Sequence, residues 1–527
     1  MLAYFPKQEM IRAHKVETMG TITLIKIHPA IGIARIGNSP TEFFIGPEKP
    51  GVHTRPKGGY KDAQGRVKRQ AARFRLFGYD QKGKLVKEIT RADATIQWTV
   101  HLANRKAAWK EFDGLNANTP LRNAGVASRT SLVIDPGQRT ITGPSQAATF
   151  DTGTFVGVTV PLGEIRTDKR GRLLVLGGFG NSGSPNHKPL QHWANNDDWH
   201  DDVSDGPVNA TVTLKSSDRT LDAVGGWVIC APPSFAPPLD HIITLYDVLL
   251  HVAMDKLGLK LPVKPSFTKD IYPLLDRAIN TKWVSAMVAN PQAHQHGHAS
   301  VHGHGGHPSA TPAHASFKAV IPPPGTAAAR KGIFGKLRNP ALPYNQDSGE
   351  SDMPMIWSDY YLAGKNEPLT KIQYGYMKKW KNGNFINDWH GRPKAPKQIT
   401  PAGLDRAALE GCVGAAVYPG IEASWLLRDV YTFSEPFRLD PTNLEAGDIT
   451  KQMAVPWQAD FYDCTQDGDL AWWPAQRPDD VFPEAGGPQV PWIRQHVTSP
   501  PGMVKNWYKL GFVVKKGAKY VETERNL

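Results

Sequence analysis

β-Branched and apolar residues alternate with polar ones through TITLIKIHPAIGIARIGNSP, residues Thr21 to Pro40, and the run closes on a Gly-Asn-Ser-Pro turn. That pattern predicts strand followed by turn. Similar short runs recur in ATIQWTVHLA, TSLVID, TFVGVTVPLGEI, RLLVLGGF and ATVTLKS, with Gly, Pro, Asp and Asn between them. Residues 21–237 therefore read as a predominantly antiparallel β domain, sandwich-like in architecture, behind a poorly patterned extension at 1–20. At Pro238 the period changes. Ile242, Leu245, Leu249, Val252 and Leu257 follow mostly 3- and 4-residue spacing up to Gly258, which predicts a helix with Asp240 as its cap. A second helix is expected over Ile271 to Val284. A third is expected over Leu404 to Val413, entered through Thr400-Pro401. These helices occupy a region at 238–420, interrupted by a His-rich flexible insertion at 290–330. Residues 421–527 return to short strands and long Pro-rich loops. The fold class expected is α+β and β-rich, with an antiparallel sandwich-like N-terminal part, a helical middle and a loop-rich C-terminal region.

Composition narrows the chemistry. At 527 residues the chain is long enough for two or more structural units. No stretch reaches the roughly 18 apolar residues of a membrane span, and the opening MLAYFPKQEMIRAHKVETMG has no secretory apolar core. A cytoplasmic protein without a membrane partner is expected, with export by a non-standard route left open. The net charge of +13 is dispersed in short basic groups, without a helix-turn-helix, zinc-finger or aromatic RNA-binding signature. This pattern describes a basic surface with no nucleic-acid function. Three cysteines are too few for a disulfide framework, and Cys230, ending the apolar run GGWVIC, reads as a small buried hydrophobe. The insertion holds seven of the eighteen histidines, yet no fixed spacing or adjacent carboxylate cluster specifies a metal site, so none is assigned. LLVLGGFGNSGSP lacks GxGxxG and is followed by Pro185 instead of a helix, so neither NAD nor FAD is expected to bind. Phosphate-loop, HExxH and GxSxG motifs are also missing from the sequence.

One segment concentrates aromatic, acidic and sulfur residues: PWQADFYDCTQDGDLAWWPAQRPDDVF, Pro456 to Phe482. Its residue types alone suggest aromatic packing. Its two parts PWQADFYDC and WWPAQRPDDV, however, together with IHPAIGIARIGNSPTEFFIGPE (Ile27 to Glu48), NNDDWHDDVSDGPV (Asn195 to Val208) and LEGCVGAAVYPGIEASW (Leu409 to Trp425), give five ordered motifs. In these the chain resembles the LodA-like family of lysine ε-oxidases and glycine oxidases, which contain cysteine tryptophylquinone. The resemblance implies that Cys464 is the sulfur partner and that the oxidised ring is Trp473 or Trp472. It implies Asp460 as promoter of cofactor formation and general base, with Asp463 nearer to the sulfur but less supported by the motif. It places Cys412 and His200 in the substrate pocket, His200 standing where related oxidases have a tyrosine. Only eight or nine positions separate Cys464 from the tryptophan doublet, where the lysine oxidase carries a longer insertion, so amine specificity does not transfer.

The chemistry so implied is an amine or amino-acid oxidase. An unprotonated amine attacks a quinone carbonyl, a Schiff base forms and a base removes the α-proton. The products are an aldehyde or 2-oxo acid, ammonia and, after reoxidation by oxygen, hydrogen peroxide. Oxygen insertion into indole requires a helper, and the family resemblance implies a flavin-dependent maturation protein. A homo-oligomer is the expected assembly. Two alternatives remain open on sequence: a catalytically silent binding protein of the same fold, and a quinone-dependent tailoring enzyme of specialised metabolism.

Overall fold

The computed structural model describes residues 21–111, 119–289, 323–342, 353–354, 356–357, 366–414, 420–423, 425–463 and 475–526. Its centre is one 13-stranded sheet. The strands used below are β1 (Leu24–His28), β2 (Ile31–Arg35), β3 (Arg69–Tyr79), β4 (Ala94–His101), β5 (Gln138–Thr142), β6 (Ala147–Thr149), β7 (Glu164–Thr167), β8 (Leu173–Leu176), β9 (His200–Asp201), β10 (Ser204–Leu214) and β11 (Gly226–Ala231). The main path of the sheet runs β5-β4-β10-β11-β2-β3-β8-β7-β6, and β1 pairs with β3. Its edge strands β5 and β6 approach each other. The sandwich-like form thus comes from one sheet curling over a single core. Most pairings are antiparallel, as the strand–turn pattern predicts, but β11 and β2 run parallel through the register Trp227↔Ile31 to Ala231↔Arg35. A parallel pair needs a long connection, and here the whole of β3 to β10 intervenes.

The period of two in β2 and β11 divides the interior. Ala34, Val228 and Cys230 face the core inside the curled sheet, while Ile31, Ile33, Trp227, Ile229 and Ala231 face a second core built with helices. Those helices include α1 (Leu245–Asp255), α2 (Tyr272–Asn280), α3 (Ala327–Gly335), α4 (Lys371–Lys381) and α5 (Pro401–Glu410). Cys230 is fully buried, as its sequence context predicts, and burial pushes its thiol up to about 12.

The expected cap of α1 needs correction. Thr244 caps this helix, accepting from the Asp247 N–H while the Asp247 carboxylate accepts from the Thr244 N–H. Asp240 lies too far upstream to reach those groups and instead pairs with His53, Nε2 to Oδ2 3.7 Å. The second helix begins as a π turn, Phe267–Ile271, continues as α2 and tightens into a 3-10 turn at Thr281–Trp283. α5 starts as expected, with Thr400 as its cap and Pro401 at its first position, but stops at Gly411, short of Val413. The α3 helix overlaps the end of the span read as an insertion. Residues 290–322, which include the His-rich tract, lie outside the described residues.

A third core joins the C-terminal part to the sheet. Trp457, Phe461, Trp492, Met503 and Trp507 pack with Tyr60, Val203 and Phe235, together with the final hairpin β12 (Phe512–Lys516) and β13 (Lys519–Thr523). No helix among the described residues is long and apolar enough to cross a membrane.

Candidate active site

α6 (Trp457–Asp463) leads directly to Cys464. Its first N–H groups have no partner within the helix and must find one elsewhere. The fully buried Asp201 of β9 supplies it, Oδ2 accepting from the Trp457 N–H at 3.0 Å. Lys106 Nζ donates to the same oxygen at 2.8 Å and to the Ala454 carbonyl at 3.0 Å, and Asn104 Nδ2 donates to Asp201 Oδ1 at 2.9 Å. Asp201 therefore has a structural role, tying Lys106 and Asn104 to the start of α6. Gln458 fixes the next turn, its Oε1 accepting from Ser182 Oγ at 2.7 Å and its Nε2 donating to the Gly180 carbonyl at 3.1 Å. Trp457 packs edge-on against Phe461 and Trp507, with ring centroids 4.9 and 5.6 Å away. On this braced helix Asp460 is buried.

Residues 464–474 lie outside the described residues, and with them Cys464, Trp472 and Trp473. The segment that follows is tied to the same helix. Buried Arg477 directs Nη1 to the carbonyls of Asp460 and Phe461 at 3.5 and 3.4 Å, next to the end of α6. Gln476 donates through Nε2 to the Gly411 carbonyl at 3.0 Å, and its own carbonyl accepts from the Phe235 N–H at 2.9 Å. Both flanks of the 464–474 segment thus rest on one buried shelf, which also carries Cys412.

Cys412 follows α5 and is 1% exposed. Its thiol donates to the Ala408 carbonyl at 3.4 Å, and Arg35 Nη2 lies 3.8 Å from the sulfur. Burial, reinforced by the charge of Glu422, raises the Cys412 pKa well above the ordinary thiol value, so the side chain is a neutral thiol and a poor nucleophile. Arg35 is held by Glu422 at 2.7 Å and by the Pro232 and Gly411 carbonyls at 3.1 and 3.0 Å.

His200 is a buried strand residue and not a surface-loop histidine. Its ring tilts against Phe155, centroids 5.2 Å apart, and burial lowers its pKa, leaving the imidazole neutral at pH 7. It is connected to α6 through its neighbour Asp201 and through Ser182, the cross-strand partner of Asp201. Asp202 lies beneath the 178–181 turn, where Oδ2 accepts from the N–H groups of Phe179 and Asn181 at 2.7 and 3.0 Å. Burial raises its pKa to about 7. The adjacent residues Gln476 and Arg477 tie the Gly411 carbonyl, next to Cys412, and the Asp460 carbonyl to the same flank of the 464–474 segment. Sequence reasoning read Asp240 only as a helix cap and gave no role to Gln476, Arg477 or the Arg35–Glu422 pair. The Gln-Arg of the PAQRP run was visible as part of a motif, but its partners lie 16 to 65 residues away. Among the described residues no cluster of three or more His, Cys, Asp or Glu side chains is placed to hold a metal ion.

Comparison with known proteins identifies the family. A family model for the L-lysine epsilon oxidase N-terminal region matches residues 28–230, and one for the L-lysine epsilon oxidase C-terminal domain matches residues 352–484. L-Lysine 6-oxidase of Marinomonas mediterranea is 27% identical over 536 residues, spanning 84% of this chain and 71% of that protein. The structure of the epsilon-lysine oxidase from the same organism superposes with a TM-score of 0.76 at 24% identity. The structure of a Schiff base intermediate of that oxidase with L-Lys superposes with a TM-score of 0.73 at 23% identity. Each covers 95% of both chains. The two matched regions bracket the sheet that supplies β9 and the segment that supplies α5, α6 and Arg477, and the chain belongs to the LodA-like family of amino-acid oxidases.

Proposed function

We propose that this chain is a quinoprotein oxidase that converts a primary amine or amino acid to an aldehyde or 2-oxo acid, releasing ammonia and hydrogen peroxide. Its cofactor is cysteine tryptophylquinone, made from Cys464 and Trp473 or Trp472, with no bound NAD or FAD. The observation that carries this reading is the convergence of α6 and residues 475–477 on one buried shelf through Arg477 and Gln476. A segment of about eleven residues with its flanks so held can bring its ends together at small entropic cost, which fits a covalent link between its sulfur and one of its rings.

Once formed, that group supplies an electrophilic carbonyl and takes two electrons from the substrate. The remaining work falls to this chain's side chains. Asp460, buried on α6, acts as general base at the carbon bearing the nitrogen. Cys412, kept as a neutral thiol, lines the pocket without competing for the electrophile. His200, also neutral, is assigned to the same pocket wall. The aromatic packing of Trp457, Phe461 and Trp507 keeps water from the helix that carries the base.

Oxygen is the final acceptor, a flavin-dependent maturation protein installs the oxygens on indole, and the chain assembles as a homo-oligomer. L-Lysine is the first substrate to assay, because the relative is a lysine oxidase. Protein co-produced with its maturation partner should gain about 28 Da, for two oxygens added and four hydrogens lost. It should release peroxide and ammonia in equal amounts with an amine. An unmodified mass, with unmodified peptides across residues 464–474, would reject the proposal. Cys464→Ala should abolish quinone absorbance.

A further inference from the structure

Two buried oxygen atoms beside Cys412 have no hydrogen-bond partner among the described residues: Asp240 Oδ1 and Gln476 Oε1. Gln476 belongs to the shelf already described, and Asp240 lies near enough for its charge to act on Cys412. Gln476 spends its Nε2 on the Gly411 carbonyl, which leaves its oxygen bare. Asp240 opens a segment that runs antiparallel to residues 411–414, with the Leu245 N–H donating to the Cys412 carbonyl at 3.1 Å and the Gly414 N–H to the Ile243 carbonyl at 2.9 Å. The Asp240 charge is felt at the Cys412 thiol. Native interiors pair nearly all their buried polar atoms, so bare acceptors call for a donor from outside the chain. A primary ammonium offers three N–H donors and a positive charge. The other oxygen of Asp240 faces His53 Nε2 at 3.7 Å, and the His53 side chain is 30% exposed, against 15% for Asp240.

We propose that Asp240 and His53 form the proton exit of the oxidase site, with Asp240 Oδ1 taking a proton from the substrate ammonium and Gln476 Oε1 holding the amine through a second N–H. The inference rests on the amine-oxidase reading above. One N–H bond of R–NH3+ breaks and the proton passes to the Asp240 carboxylate, leaving the neutral amine that the electrophile requires. The carboxylic acid turns its O–H towards His53, the 3.7 Å gap closes to hydrogen-bond distance as the proton passes, and the imidazolium releases it to solvent with no electrons changing hands. Histidine suits the outer position because a ring nitrogen can accept a proton and the partly exposed side chain meets solvent. Burial raises the pKa of Asp240, which brings it closer to the amine's own affinity for the proton. The charges facing Asp240 are Arg277 of α2, Asp247 of α1 and Glu410 of α5, with Tyr520 of β13 and Cys412 within reach. Arg277 is already engaged by Asp247 at 2.8 Å, so it does not fill the bare acceptor.

The test is kcat/KM against pH for wild type, Asp240→Asn and His53→Gln, with cofactor content measured by intact mass on each preparation. Asp240→Asn should lose at least about tenfold at pH 7, and the deficit should close as pH rises towards 9. In that range the fraction of substrate already unprotonated in solution grows about tenfold per unit. His53→Gln should show the same trend with a smaller loss. A purely structural role would lower rates equally at every pH. Mature Asp240→Asn enzyme with a profile parallel to wild type would overturn the proposal. Should Asp240→Asn fail to mature, His53→Gln decides, and a profile superimposable on wild type overturns it. Wild-type protein that matures but oxidises no amine would overturn the functional reading and this inference with it, whereas active wild type with unaffected variants removes this inference alone.

Discussion

Neighbouring aspartates can be buried to the same depth and be partnered differently, and Asp201 and Asp202 show how. Asp201 meets Lys106 at 2.8 Å and caps α6, so its ionised form has a counter-ion. Asp202 accepts two N–H groups through one oxygen and leaves the other bare, and its pKa rises to about 7. A carboxyl whose folded pKa lies above its unfolded value contributes stability that is complete below about pH 4 and is lost as pH rises through about 7. Asp202→Asn, neutral throughout, should therefore gain on wild type as pH goes from 5 to 8. The change is on the order of a few kcal/mol, since each pKa unit is worth about 1.4. Melting temperatures of the two proteins at pH 5, 6, 7 and 8 check this, and a constant difference would refute it. The sequence shows the Asp-Trp-His-Asp-Asp run, but it does not show which acid is paired, because Lys106 lies 95 residues away. The same holds for the site: the motif residues around Cys412 and Asp460 were legible, whereas Asp240 and Gln476 acquire meaning only from segments that meet in space.

Helices were readable where their signals are local. Thr400-Pro401 marks α5 because a capping hydroxyl and a proline at the first position act within one turn. α1 was found from its apolar spacing but given the wrong cap, since Thr244 and Asp247 form a reciprocal pair that a search for the first acidic residue passes over. α4 was missed. Its sequence KIQYGYMKKWK buries only Gln373, Met377 and Trp380 and offers too short an apolar stripe among its lysines. The corrected cap can be tested directly. Thr244→Ala should cost about 1 kcal/mol, the usual worth of a capping hydroxyl, and should lower the melting temperature measured by circular dichroism. Asp240→Asn should leave the helix cap intact, so a melting temperature lowered as much as by Thr244→Ala would reject this assignment.

At the scale of the molecule, the strand period shows that a strand has two faces but not what covers the second. Ile31, Ile33, Trp227 and Ile229 look like ordinary inward positions of a sandwich, yet they form the floor of the helical core. Asp205 makes the same union polar. It is fully buried on β10, and its Oδ2 accepts from Trp227 Nε1 at 2.9 Å and from the Ile449 N–H at 3.2 Å. Its Oδ1 accepts from the Thr450 N–H at 2.8 Å and from Thr450 Oγ1 at 2.7 Å. One carboxyl therefore joins two sheet strands to the segment leading into α6. Asp205→Ala would strand four buried donors, at about 1 to 3 kcal/mol each when fully unsatisfied, and water entering the space would return part of that. The expected result is a loss of several kcal/mol. Because the cores share strands, the loss should appear in one transition, with tryptophan fluorescence and far-ultraviolet circular dichroism falling together. A fluorescence transition that precedes the loss of strand signal would mean that the C-terminal part detaches from an intact sheet, and the shared-core account would then fail.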